Sequence, residues 1–160
     1  MHKLKVTKAF FLSIILIVAA QPTANSLPSK EKELILKKDD CGLLVENPHL
    51  SDSLRKKGIK AVKVNVISKC IYVQERIVFN IELLKRGYFG WKIVKSFPRI
   101  ITKPKPSPFR VEIKDAYVEC KNIKPTLYWA RAFSTVTIAG KSYSTPLVYS
   151  QNNRLFRCGT

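Results

Sequence analysis

Across residues 77–83 every second side chain is apolar: Ile77, Phe79, Ile81 and Leu83 share one face of an extended chain, and Arg76, Asn80 and Glu82 take the other. A period of two arises only where successive side chains point to opposite faces, so this segment has to be a β-strand with one side buried. The same alternation recurs. Val62, Val64 and Val66 oppose Lys63 and Asn65 within residues 60–67, and Phe109, Val111 and Ile113 oppose Arg110, Glu112 and Lys114 in a strand running toward Cys120. Trp91 and Ile93 against Lys92 indicate a strand over residues 89–94, followed by a short edge strand over 99–102. Aromatic and β-branched side chains mark residues 127–138, and residues 144–149 and 155–158 complete the set.

Turn signals separate these segments. Lys85-Arg86-Gly87, residues 122–125 and Ala139-Gly140-Lys141-Ser142 each read as a reversal, and Pro104, Pro106 and Pro108 require an extended surface connection. One helical turn over residues 52–57, ended by Gly58, is expected, the charged segment over residues 27–40 is a mobile arm or a short helix, and no long helix is expected. About seven short strands joined by turns predict an all-β fold: an antiparallel, immunoglobulin-like β-sandwich forming a single domain over residues 41–160.

The head of the chain has a different character. His2, Lys3, Lys5 and Lys8 precede an apolar stretch over residues 9–20, and small polar residues follow, which is the layout of a secretory signal peptide. The stretch falls short of the roughly 20 apolar residues a membrane-spanning helix needs. Residues 1–26 are therefore expected to be removed, with cleavage between 20 and 26, and residues 27–40 form a flexible charged arm. The expected destination is secreted, outside the cell or at its surface.

Export makes the four cysteines informative. Cys41, Cys70, Cys120 and Cys158 form an even set in an exported domain, which predicts two disulfides; none are spaced as paired metal ligands, so no metal is expected. Four cysteines permit three pairings. Cys70, Trp91, Tyr117 and Cys120 resemble the Cys, Trp, Tyr and Cys arrangement of immunoglobulin domains, although Tyr117 stands three residues before Cys120 where that family has two. Cys70 and Cys120 each end a strand that precedes a reversal, and up-and-down alternation then favours Cys70–Cys120, leaving Cys41–Cys158 to tie the domain ends.

Asn47-Pro48-His49-Leu50-Ser51, the strand ending in Cys70, Leu84-Lys85-Arg86-Gly87 and Tyr128-Trp129-Ala130 together resemble a group of small secreted β-sandwich proteins of Gram-positive bacteria. That resemblance implies location and fold, and it implies no activity.

Charge points to a class of partner. Lys and Arg number 29 against 11 Asp and Glu, a formal net charge of +18, which draws a protein toward polyanions without specifying its fold. Two clusters are candidate anion-binding strips: Arg55, Lys56, Lys57, Lys60 and Lys63, and then Arg99, Lys103, Lys105 and Arg110 around the prolines. Catalytic readings fare worse. His49 beside Ser51 and Ser53 has no nucleophile-elbow context, and Glu112, Asp115 and Glu119 lack any sign of a shared cleft. Of Tyr88, Phe89, Trp91, Tyr128, Trp129, Tyr143 and Tyr149, most belong in a sandwich core, Trp91 and Trp129 above all, and a stacking platform for nucleic acid is disfavoured.

The expectation is therefore a non-enzymatic module, without cofactor or metal, that binds an anionic cell-wall polymer or membrane headgroups. An acidic protein is a further candidate partner, and the alternative function is a protein-binding factor, such as an inhibitor, adhesin-like or toxin-related ligand, that uses sandwich loops or a sheet edge.

Overall fold

The computed structural model describes residues 40–160, so the leader expected over residues 1–26 and all but the last residue of the arm expected over residues 27–40 lie outside the described residues. Ten strands and one helical turn follow in order: β1 (Cys41–Val45), β2 (His49–Leu50), α1 (Asp52–Arg55), β3 (Ala61–Cys70), β4 (Arg76–Gly87) and β5 (Gly90–Thr102). Then come β6 (Arg110–Glu119), β7 (Asn122–Ile138), β8 (Lys141–Ser144), β9 (Val148–Tyr149) and β10 (Arg154–Gly159).

All pairings are antiparallel. In the first sheet β3 is central, with β1 and β2 along one edge and β6 along the other. The second has the order β10-β7-β4-β5, and β8 and β9 join β7. The β1-β3-β6 and β10-β7-β4-β5 orders are consistent with the A-B-E and G-F-C-C′ strands of an immunoglobulin-like sandwich.

The alternating positions close on one core. Val62, Val64, Val66, Val111 and Ile113 of the first sheet join Ile77, Phe79, Ile81 and Leu83 of the second in a single buried cluster. Tyr128 is fully buried with them, and burial pushes its phenol pKa up, opposed by a hydrogen bond with Thr160. Its hydroxyl donates to the Cys158 carbonyl at 2.7 Å, which satisfies the one polar atom of that side chain. Ser51 caps α1 by accepting from Leu54 N–H at 3.4 Å, and Gly58, at φ +79°, follows this turn as expected.

Several expectations change. The segments over 89–94 and 99–102 are one strand, β5; Pro98 is tolerated within it because β5 pairs with β4 alone and needs no donor on its outer edge. Residues 122–125 do not turn but open β7 and pair with β10. Residues 144–149 divide between β8 and β9.

The disulfides also differ from the expected pairing. They join Cys41 to Cys70 and Cys120 to Cys158, not Cys70 to Cys120 and Cys41 to Cys158. Register explains it. Cys41 is the direct cross-strand partner of Cys70, whereas β3 and β6 run antiparallel, so Cys70 N–H bonds Phe109 and Cys120 N–H bonds Lys60 at the two ends of one ladder. About ten residues at roughly 3.3 Å each put Cys70 and Cys120 near 30 Å apart, far beyond the reach of a bridge.

Proteolysis of the unreduced protein should accordingly release linked peptides holding Cys41 with Cys70 and Cys120 with Cys158; recovery of a Cys70–Cys120 pair by mass spectrometry would contradict this register. Replacing Cys120 and Cys158 together by serine should lower stability by about 2–4 kcal/mol in denaturant titration.

Candidate anion-binding end of the second sheet

The β4–β5 hairpin turns at Tyr88-Phe89, one residue beyond the Lys85-Arg86-Gly87 turn read from sequence. Gly87 and Gly90 are its closing pair, and Gly90 adopts φ +128°, a conformation that side-chain-bearing residues rarely take. Tyr88 is 100% and Phe89 96% exposed, and their rings lie 6.1 Å apart. Just behind them, Lys85 faces Lys92 on one side and Tyr128 on the other, while Arg86 faces Trp91.

The start of β7 and the whole of β10 lie at this same end, where Leu155 faces Leu127 and Arg157 faces Pro125. Between them is a hollow of about 550 Å³ whose lining includes Lys85, Arg86, Lys124, Leu127 and Leu155. No carboxylate side chain lines it. Lys85 Nζ donates to the Thr160 backbone oxygen, and lies 3.3 Å from the Thr160 hydroxyl. The Cys120–Cys158 bridge and the Lys121 N–H bond to the Gly159 carbonyl, 2.8 Å, hold this end of the second sheet to the end of β6.

Such a cluster of ammonium and guanidinium groups has the chemistry to hold phosphate or carboxylate. Lys85 is held by Thr160 and the Arg86 guanidinium lies 5.8 Å over the Trp91 ring, but no acidic side chain in the hollow competes for those cations. Among the described residues, Glu82 is the sole acid in the strands of the second sheet, and Arg131 already pairs with it at 2.6 Å. The Tyr149 hydroxyl at 3.3 Å and then Glu82 raise the Arg131 pKa above its ordinary value, so this side chain remains a cation.

Trp91 and Trp129 are not core residues, which corrects the sequence expectation. Both are half-buried and 5.4 Å apart; Trp129 stacks at 4.7 Å on Tyr149 and donates from its indole N–H to the Ser150 carbonyl at 2.8 Å. In β7 the buried positions are Tyr128, Ala130, Ala132, Ser134, Val136 and Ile138, so the alternating partner Trp129 must point outward. With Leu84, Ile93 and Arg131, these rings line a hollow of about 470 Å³ on the outer face.

The basic clusters named from sequence fall at opposite ends of the β3–β6 ladder. Arg55 pairs with Asp52 at 2.9 Å, Lys56 caps α1, Lys57 and Lys60 are exposed, and Lys63 lies across from His49 and Tyr117. Lys60 accepts the Cys120 N–H bond, which places this cluster at the hairpin end. Arg99 is held by Asp115 at 2.8 Å, Lys103 and Lys105 are exposed past the end of β5, and Arg110 faces Lys69 and lies 4.0 Å from Glu112. Sequence reasoning passed over Lys85, Arg86 and Lys124. No single stretch of chain contains them, and the absence of acids over residues 83–111 and 120–160 was the available signal.

His49, Ser51, Glu112 and Asp115 of the rejected catalytic sets are otherwise engaged. His49 Nδ1 donates to the Asn47 carbonyl at 3.1 Å, and Ser51 Oγ serves the helix cap. Glu112 pairs with Lys114 at 3.3 Å, while Asp115 is held separately by Arg99.

The fold and bonds define a disulfide-linked antiparallel β protein of an oxidising compartment. Among the described residues no helix is long and apolar enough to cross a membrane. Comparison with protein-family models, with curated proteins and with solved structures finds no match. The outward placement of Trp129 has a measurable consequence: Phe79→Ala, which empties a fully buried site, should cost about 3–5 kcal/mol, and Trp129→Ala clearly less, in paired urea titrations.

Proposed function

We propose that the protein is an exported, non-enzymatic module that binds an anionic surface or polymer through the hairpin end of its second sheet. One observation carries this reading: Lys85, Arg86 and Lys124, brought from two strands, line one hollow that contains no carboxylate side chain. The formal charge of +18, which becomes +15 once residues 1–26 with their three lysines and no acids are removed, supports it by favouring encounter with any polyanion, an attraction that salt screens over a Debye length of about 10 Å at 0.1 M.

The alternative, a protein partner added as a strand at a sheet edge, has less support at β5. That edge carries Pro98, Lys92, Lys95 and Arg99, features that discourage strand addition.

On immobilised dextran sulfate the protein should be retained at low ionic strength and released as salt rises. Arg86→Glu with Lys124→Glu should shift elution to distinctly lower salt than Lys103→Glu with Lys105→Glu, an equal charge change at the opposite end. Equal shifts for the two pairs would reduce the interaction to net charge and remove the site.

A further inference from the structure

We infer that the anionic partner is a lipid bilayer, with Tyr88 and Phe89 entering the boundary between headgroups and acyl chains while Lys85, Arg86 and Lys124 hold lipid phosphates. This rests on the anion-binding reading above and narrows it to one partner.

A soluble polyanion needs cations alone, and it leaves the hairpin tip without a purpose. Tyr88 and Phe89 are the two most exposed large apolar side chains of the described residues, at 100% and 96%, and their ring contact is with one another. Displaying two aromatic rings to water at a turn is unfavourable unless a partner takes them up. Ile123 at 74% and Leu155 at 65% add apolar surface at the same end of the sheet. Aromatic side chains with cations close behind them suit the membrane interface, where rings sit at the headgroup level and ammonium or guanidinium groups meet phosphate. Residues 83–111 hold no acid to repel an anionic leaflet.

A glycan fits the geometry less well. Stacking on sugar needs flat, accessible ring faces, but Trp91 and Trp129 are inclined by 50° and Trp129 and Tyr149 by 34°, and the Trp129 indole N–H is already bonded to Ser150. The tip itself is a two-residue turn whose rings stand free in solvent, where they can enter an apolar phase together.

The test compares vesicles with a polymer. In about 0.1 M salt the protein should sediment with vesicles of phosphatidylcholine containing one third phosphatidylglycerol, and not with phosphatidylcholine alone. Tyr88→Ser with Phe89→Ser should weaken vesicle binding roughly tenfold or more, as expected for removing two rings from an apolar phase, yet leave dextran sulfate elution unchanged. Arg86→Glu with Lys124→Glu should impair both. Because the tip makes no core contact, circular dichroism should report the same fold in each variant. If the tip variant binds vesicles as the parent does, or if the parent binds dextran sulfate but no vesicle, the lipid inference is wrong and anion binding stands. If the parent binds neither, both readings are wrong.

Discussion

Burial of the face formed by Ile77, Phe79, Ile81 and Leu83 sets the register of the second sheet, because a slip by one residue would turn all four outward. Each of these side chains is worth about 1.5–3 kcal/mol when removed from water, so the alternatives are strongly disfavoured. β4 lies between β5 and β7, and its register therefore decides theirs. With the ladder so placed, Lys85 and Arg86 reach its far end and the chain must reverse at Tyr88-Phe89. The position of the charged end is a consequence of the apolar interior.

That end is also held from behind by a disulfide and by hydrogen bonds. Tyr128, fully buried, donates to the Cys158 carbonyl, and Cys158 is bridged to Cys120 as the chain passes from the first sheet to the second. Lys85 reaches the Thr160 backbone oxygen from the neighbouring strand. These links connect the cations of the hollow to the core through short, well-packed segments. Cations on such a frame lose less freedom on meeting an anion than cations on a mobile loop would, which favours binding by reducing its entropic cost.

The outer face of the second sheet shows how one sheet can serve two environments. Its inner residues pack against the first sheet, while Trp91, Trp129 and Tyr149 pack sideways on one another and on Arg131, with Glu82 as a counter-charge. Large aromatic surface is kept partly dry there without a covering layer. The hairpin tip has no such arrangement, and this contrast is why Tyr88 and Phe89, and not the tryptophans, are the proposed contact region.

Local periodicity was enough to define much of this protein: the alternation in β3, β4 and β6, the helical turn between Ser51 and Gly58, and the presence of two bridges are all readable without coordinates. Alternation reports that two faces differ, but in β7, where Tyr128 and Ala130 alternate with Trp129 and Phe133, it does not say which is inside; the facing sheet decides that by the space it leaves. Cysteine pairing was likewise decided by strand neighbours and direction, which put Cys41 beside Cys70 and Cys120 near the far end of the β3–β6 ladder. The hollow lined by Lys85, Arg86 and Lys124 belongs wholly to tertiary structure. Residues near 85 and 124 meet only because β4 and β7 are adjacent and antiparallel, and sequence carries residue types and local spacing but not the long-range pairings that bring charges together.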